Sequence, residues 1–144
     1  MTEPALVLLD TCAAIWLMNR GPMRDASLIA IMAAGRARGI FVSPVSAWEI
    51  GMLSKGRPGR AEGLHFVPDP KTWFAKLMAA PRVREAPLTP DIAIEASFLP
   101  GEIHADPADR LLIATARHLG ASIVTRDSRI IAYGRSGHVS VINC

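Results

Sequence analysis

Four acidic residues lie at the ends of apolar runs or inside them: Asp10, Glu49, Asp109 and Asp127. Asp10 directly follows the hydrophobic stretch 5–9, and Asp127 comes two residues after the stretch 121–125. A carboxylate that faces a protein core is costly unless it is paired, protonated or bound to a cation. Coordination of a shared metal ion explains all four together, so the sequence predicts one acidic metal site.

Each acid also has an ordinary local explanation. Asp10 and Asp127 precede predicted helices, and Asp is a favoured N-cap residue. Glu49 could instead form a buried ion pair with an arginine. In the segment 106–109 we expect Asp106 to cap a helix, because a proline follows it at the first helical position. That leaves Asp109 free for chemistry.

The elements that must position these acids alternate between strands and helices. The predicted strands are 5–9, 40–42, 83–86, 121–125 and 139–142, and the predicted helices are 11–19, 25–37, 44–54, 70–79, 90–98 and 107–119, with a helical turn at 128–132 and a loop at 55–69. Strands separated by helical crossovers indicate a mainly parallel sheet that is covered on both faces. Ligands bind beyond the carboxyl ends of such strands, where Asp10 and Asp127 are expected.

The other two acids lie on predicted helices. Helix 44–54 carries apolar residues at the spacing of an inward-facing stripe: Val45, Trp48, Met52 and Leu53. Glu49 occupies the i+4 position of that stripe. Asp109 precedes Leu112 and Ile113 by three and four residues, so it is predicted to point inward as well.

Length and composition indicate one domain, residues 1–144, in a reducing cytoplasm. Hydrophobic residues make up 50% of the 144 residues, and the mean hydropathy is +0.25. The apolar runs are nevertheless too short for a membrane span or a secretory signal. Two cysteines, Cys12 and Cys144, form no disulfide framework, and Cys12 is expected in the core. The excess of apolar residues predicts a surface that another protein buries.

The charge balance favours a polyanionic partner. The formal net charge is +3, from 16 basic and 13 acidic residues. Without the four proposed ligands, 16 basic residues face nine acidic ones, a net charge of +7. Such a balance suits a polyanion whose phosphates are held around an acidic pocket. The candidate residues for binding it are Lys55, Arg57, Arg60, Arg110, Arg126 and Arg129.

The four histidines show no zinc-binding spacing. His104 is close to Asp106 and Asp109 along the chain, and is a candidate for a supporting role near the site.

Four segments together resemble a known family: 8–11 (LLDT), 46–50 (SAWEI), 106–116 (DPADRLLIATA) and 124–127 (VTRD). The chain resembles PIN-domain ribonucleases, specifically the VapC-like toxins of type II toxin–antitoxin pairs. The resemblance covers nearly the whole chain in the family's order. Ala108 departs from the pattern, since an aromatic residue often stands between the two aspartates, but this position is not a proposed ligand.

The resemblance implies a fold, a site and partners. The fold is a three-layer α/β/α sandwich, and the partners are a second copy of the chain and a small VapB-like antitoxin that blocks the pocket. The site would consist of an acidic quartet with supporting hydroxyl groups: Asp10 and Asp109 as direct ligands of Mg²⁺ or Mn²⁺, Glu49 and Asp127 orienting waters or a second ion, and Thr11 and Thr125 in support.

These observations predict a metal-dependent endoribonuclease that cleaves RNA with an activated water molecule. Transfer RNA is the first expected substrate, followed by ribosomal and messenger RNA. The alternative is a binding module without catalysis, whose acidic pocket receives arginines from a protein partner.

Overall fold

The centre of the molecule is a five-stranded sheet, seen in a computed structural model that describes residues 6–56 and 63–144. The strands are β1 (Leu6–Leu9), β2 (Ile40–Val42), β3 (Val83–Glu85), β4 (Ala121–Thr125) and β5 (Ser140–Asn143). They lie in the order β3-β2-β1-β4-β5, and every neighbouring pair is parallel. The predicted parallel sheet is therefore confirmed.

Helices connect the strands: α1 (Thr11–Met18), α2 (Asp25–Ala37), α3 (Pro44–Lys55), α4 (Pro70–Ala79), α5 (Pro90–Glu95), α6 (Pro107–Leu119) and α7 (Ser128–Arg135). Four of these helices begin with proline after a Ser, Thr or Asp cap: α3, α4, α5 and α6. Proline suits the first helical position because its fixed φ matches the helix and its missing N–H would be unpaired there. The cap side chain accepts a bond from another free backbone N–H.

Alternate residues of β1 point into two separate cores. Val7 and Leu9 belong to a core with α1, α2 and α4, whereas Leu6 and Leu8 belong to a core with α6 and α7. This period of two follows from the strand's pleat, and burial of both faces explains why β1 is apolar throughout. Helices on both sides of one sheet confirm the three-layer α/β/α architecture.

Two helices, α5 and α7, end three residues from their predicted ends, whereas α1 and α3 end within one residue of theirs. Helix α5 ends at Glu95, whereas the prediction continued it to residue 98, and tight turns with bonds from Ser97 N to Ile94 O and from Phe98 N to Glu95 O follow instead. Helix α7 runs to Arg135 and is longer than the predicted turn 128–132. Its Ile130 and Tyr133 are buried against the sheet, which explains why the helix persists.

The inner face of α3 differs from the predicted stripe. Val45 is buried as expected, but Trp48 is 59% exposed and Met52 is 51% exposed. Leu53 is also exposed. Ser46 and Ile50 are buried in their place, so the helix is rotated relative to the prediction, with large apolar residues on its outer surface.

The prediction that Cys12 belongs to the core is wrong, since its side chain is exposed while its neighbours Thr11 and Ala13 are buried. At the first turn of α1, Cys12 therefore points away from the sheet. No helix in the described ranges is both long enough and apolar enough to cross a membrane.

Candidate metal centre

Asp10 and Asp127 lie at the carboxyl ends of two adjacent strands. β1 and β4 are paired in parallel with Leu9 opposite Val124, and Asp10 N donates to the Val124 carbonyl at 3.0 Å. From β1 the strand order runs through β2 and β3 on one side and through β4 and β5 on the other. A sheet of this order has its binding crevice where the two directions part, which is beside β1 and β4.

Asp10 is a buried carboxyl group with an unusual pKa. Its side chain is the N-cap of α1 and accepts a bond from Ala13 N at 2.7 Å, and only 6% of the residue is exposed. Burial, aided by the charges of Asp109 and Asp127, raises the pKa of Asp10 to about 6, although hydrogen bonds from Thr125 and Ala13 N act in the opposite direction. The capping explanation is thus correct but does not account for the neighbouring acids.

Asp127 is the N-cap of α7 and has the opposite shift. Its Oδ1 accepts bonds from Arg129 N at 2.8 Å and Ile130 N at 3.2 Å. Although partial burial acts against them, these bonds and the Arg129 guanidinium lower the pKa of Asp127. This acid therefore stays ionised when its neighbours begin to bind protons.

Thr125 connects these two acids from the end of β4. Its hydroxyl is fully buried, accepts a bond from Asp127 N at 2.9 Å and donates to the Asp10 carboxylate. One hydroxyl group thereby fixes both side chains relative to the sheet.

Glu49 reaches the same region from α3. Its Oε1 accepts a bond from the Thr11 hydroxyl at 2.5 Å, and the buried Ser46 hydroxyl lies 3.1 Å from that of Thr11. Burial raises the pKa of Glu49 against the Thr11 hydrogen bond, and the charges of nearby acids, Asp109 foremost, add to the effect. Among the described residues no arginine forms an ion pair with Glu49.

Asp109 lies at the start of α6, where Asp106 is the N-cap. Asp106 Oδ1 accepts a bond from Asp109 N at 3.1 Å, which leaves the Asp109 carboxylate to the crevice. Asp109 Oδ2 lies 2.7 Å from His104 Nε2 and 3.6 Å from Arg129 Nη2. Burial raises the pKa of Asp109 in spite of the His104 contact.

We refer to Asp10, Glu49, Asp109 and Asp127 as the acidic cluster. The charge of Asp109 raises the pKa of both Asp10 and Glu49, so these groups share one electrostatic environment. Carboxylate oxygens are ligands that Mg²⁺ and Mn²⁺ prefer. Three of the four acids have raised pKa values, and this excess of negative charge fits a divalent cation.

The basic residues near the cluster differ in their surroundings. The side chain of Arg129 is 55% exposed, and its Nη2 lies 3.4 Å from Asp127 Oδ2. Arg110 donates from Nε to the Ala96 carbonyl at 3.0 Å, so it joins α6 to the end of α5. Because that guanidinium is held by the protein, we do not assign Arg110 to RNA.

Arg126 is also engaged with the protein. Its guanidinium carbon lies 3.7 Å from the ring centroid of Trp16, and its Nη2 donates to the Pro22 carbonyl. These contacts attach the end of β4 to α1 and the segment after it, so Arg126 is not assigned to RNA either. Lys55 is exposed at the end of α3, whereas Arg57 and Arg60 lie outside the described residues.

Sequence reasoning missed the roles of two residues. The sequence predicts no role for Ser46 in the site, yet its hydroxyl lies beside that of Thr11 and is fully buried. His104 was expected near the site, but its direct contact with Asp109 was not foreseen. A buried hydroxyl three residues before an inward-facing acid on one helix is the signal that could have identified Ser46.

Comparison with known proteins places this chain among related sequences and folds. A family model described as PIN domain matches residues 7–136. Ribonuclease VapC22 of Mycobacterium tuberculosis is 33% identical over 135 residues, which cover 94% of this chain and 97% of that protein.

Two solved structures show a similar fold. VapBC2 from Rickettsia felis, bound to a DNA fragment from its promoter, matches with a TM-score of 0.65 at 16% sequence identity. The match covers 96% of this chain and 98% of the chain in that structure. A toxin–antitoxin complex from Klebsiella pneumoniae matches with a TM-score of 0.59 at 21% sequence identity, and the match covers 95% of this chain and 96% of the chain in that structure.

Proposed function

Because this chain belongs to the PIN-domain family, we propose that it is an endoribonuclease, the toxin of a toxin–antitoxin pair, which hydrolyses RNA at its acidic cluster. The observation that carries the proposal is the cluster of carboxylates with raised pKa values at the carboxyl end of β1 and β4. The ribonuclease relative spans nearly the whole chain, which supports the same activity.

The donor set supports a role for Mg²⁺ or Mn²⁺. When bound, such an ion lowers the pKa of water and offsets negative charge on phosphate oxygens. Asp10 and Asp109 would hold the ion, while Glu49 and Asp127 would position water beside it or bind a second ion.

The cluster's own residues provide the rest of the chemistry. Thr11 fixes one oxygen of Glu49, so this carboxylate is held in a single orientation. Its raised pKa suits it to accept a proton from the attacking water. The water oxygen would bond to phosphorus as the bond from phosphorus to the ribose 3′ oxygen breaks. That oxygen takes up a proton, so the products carry 5′-phosphate and 3′-hydroxyl ends.

RNA is the proposed substrate, and transfer RNA is the first candidate to test. The chain carries a net charge of +7 outside the acidic cluster, which attracts a polyanion. Lys55 and Arg129 are exposed basic residues on α3 and α7, the helices that carry Glu49 and follow Asp127, and they are our candidates for phosphate contact. We also propose a cytoplasmic location, which would bring the protein together with such RNA.

A VapB-like antitoxin is the proposed inhibitor. An apolar groove of about 460 Å³ lies beside the cluster, and its walls include Trp48, Met52, Leu53 and Leu64 as well as Glu49. These four apolar side chains are exposed, so a partner gains by covering them. A segment docked there would cover Glu49 and close the site. The related solved structures include toxin–antitoxin complexes, which supports this assignment. We also propose that two copies of the chain form a homodimer.

The non-catalytic alternative is not favoured. It requires the carboxylates to serve only as acceptors for a partner's arginines. The relative at 33% identity is a ribonuclease, and the acidic cluster suits metal-assisted hydrolysis.

A fluorogenic RNA assay with Mn²⁺ or Mg²⁺ tests the proposed function. Asp10→Asn and Asp109→Asn should each reduce cleavage by about 10²-fold or more, since charged metal ligands are lost while the side-chain shape is kept. Both variants should retain the wild-type circular dichroism spectrum. Cleavage at the wild-type rate in both variants would point to a contaminating nuclease and remove the proposal. Sequencing of RNA 5′ ends after induced expression would identify the substrate.

A further inference from the structure

The imidazole of His104 has one ring nitrogen directed at the acidic cluster. Its Nε2 lies 2.7 Å from Asp109 Oδ2, and the two side chains are only 15% and 14% exposed. His104 Nε2, one oxygen of Asp109 and one oxygen of Asp127 all lie within 4.8 Å of one another. The three atoms come from a loop, from α6 and from the turn after β4, so the tertiary fold has brought them together.

The separations suit one cation. Divalent ions of this size bind oxygen and nitrogen at about 2.0–2.2 Å, so two ligands of the same ion lie at most about 4.4 Å apart. Small side-chain adjustments would place all three donors around one ion. Neutral imidazole is a common metal ligand through Nε2.

We propose that His104 is a metal ligand, which binds a divalent cation together with Asp109 and Asp127 and favours Mn²⁺ over Mg²⁺. The inference rests on the proposed function only in that the acidic cluster holds a cation. Nitrogen donors suit transition-metal ions, whereas Mg²⁺ prefers oxygen ligands and keeps several waters. One imidazole among carboxylates therefore changes which metal the site selects.

Arg129 provides the competing explanation for the same contacts. Its Nη2 lies 3.4 Å from Asp127 and 3.6 Å from Asp109, so His104 and Arg129 could both serve only to balance the charge of these acids. Arg129 is 55% exposed and can move into solvent at little cost, whereas His104 is largely covered. The fixed imidazole is thus the better candidate for a permanent ligand.

Pulsed electron paramagnetic resonance of bound Mn²⁺ tests the assignment directly, because a coordinated imidazole gives ¹⁴N modulation of the electron spin echo. The Mn²⁺-loaded wild-type protein should show this modulation. His104→Ala should lose it, and His118→Ala should keep it, since His118 is exposed in the last turn of α6. Absence of the signal in the wild type, or its persistence in His104→Ala, would overturn the proposal.

Metal affinity gives a second readout that requires no RNA. In calorimetric titrations, His104→Ala should weaken Mn²⁺ binding by about 10-fold or more and Mg²⁺ binding by much less. An equal loss for both ions would contradict the predicted selectivity. Circular dichroism and thermal melting of each variant would verify that it is folded.

The two proposals can fail separately. A nitrogen signal from a wild-type protein that cleaves no RNA would support the ligand assignment and refute the ribonuclease activity. RNA cleavage by Mn²⁺-loaded protein without that signal would refute the ligand assignment alone. Failure of the wild-type protein to bind Mn²⁺ would overturn the role of His104.

Discussion

Asp10 and Asp127 are helix caps and members of the acidic cluster at the same time. A carboxylate has two oxygens, so a capping bond to the backbone leaves a second oxygen for the crevice. The sequence could predict these positions because each acid follows an apolar strand. It could not predict the contact between His104 and Asp109, since a loop of irregular conformation has no periodicity that fixes where a side chain points.

The pKa of Asp10 has a consequence for stability in the absence of metal. The folded state raises it from 3.8 to about 6, so the folded protein binds the proton more tightly than the unfolded chain. Stability is therefore lost as the pH rises through this range, by about 3 kcal/mol when Asp10 is ionised. Asp10→Asn removes the charge and keeps a side chain that can cap α1.

In EDTA, Asp10→Asn should accordingly be more stable than the wild type by about 2–3 kcal/mol at pH 7.5 and nearly equal to it at pH 4. Urea unfolding at pH 7.5 and at pH 4 measures the difference in the free energy of unfolding between the variant and the wild type. Asp69→Asn is the matched control, because the pKa of Asp69, the exposed N-cap of α4, is lowered by its bonds to Thr72. This control should show no gain at the higher pH. A wild-type protein more stable than Asp10→Asn at pH 7.5 would contradict the prediction.

Arg129 should compete with a cation for the acidic cluster. Its guanidinium lies close to both Asp109 and Asp127, and ion binding requires it to move. We expect Arg129→Ala to tighten Mn²⁺ binding about two- to fivefold, since exposed ion pairs are weak. Calorimetry measures the change, with Arg135→Ala at the end of α7 as control. Weaker binding by Arg129→Ala would show instead that this side chain supports the site.

At the scale of secondary structure, most of the fold could be predicted because helix caps, prolines and apolar periodicity indicate the same positions for the helices and strands. Helices α2, α4 and α6 have the predicted bounds. The rotation of α3 could not be predicted, because periodicity shows where apolar residues lie and not which neighbour covers them. Ser46 takes an inner position through its contact with Thr11, while Trp48 faces outward.

Two glycines, one inside a helix and one after a helix, test whether backbone conformation alone decides the effect of replacing glycine with alanine. A Cβ added at Gly51, inside α3, or at Gly120, after α6, would meet no atom of residues 6–56 or 63–144 within 4 Å, so packing against these residues is not at issue at either position. Gly120 has a φ of 66° and ends α6 in the left-handed conformation. Gly120→Ala should therefore cost about 1 kcal/mol, whereas Gly51→Ala should add about 0.5–1 kcal/mol. Urea unfolding gives both values, and changes of the same sign would contradict the argument.

At the scale of the whole molecule, the acidic cluster gathers charge from four separate elements at one edge of the sheet. Its residues follow β1 and β4 or lie on α3 and α6. Folding without a cation must therefore oppose the repulsion among these groups. The raised pKa values of Asp10, Glu49 and Asp109 reflect burial in the first place and that repulsion in addition.

Metal binding should therefore raise the melting temperature. A ligand at 100 times its Kd adds about 2.7 kcal/mol, which corresponds to about 8 °C for a domain of this size. Differential scanning calorimetry with and without Mn²⁺ measures the shift. The double variant Asp10→Asn, Asp109→Asn should lose most of the shift. An unchanged wild-type melting curve at millimolar Mn²⁺ would count against a metal site.

If the protein has the proposed function, the pairing of β1 with β4 also governs when it can become harmful to the cell that makes it. A nascent chain that has emerged from the ribosome only as far as α5 contains Asp10 and Glu49 but lacks β4. Joining segments so distant along the chain is slower than forming local helices. Under the proposed function, cleavage of RNA must therefore wait until translation has passed β4 and Asp127, and a chain released before that point would be an inert fragment. Synthesis itself would thus give the proposed antitoxin time to meet the protein.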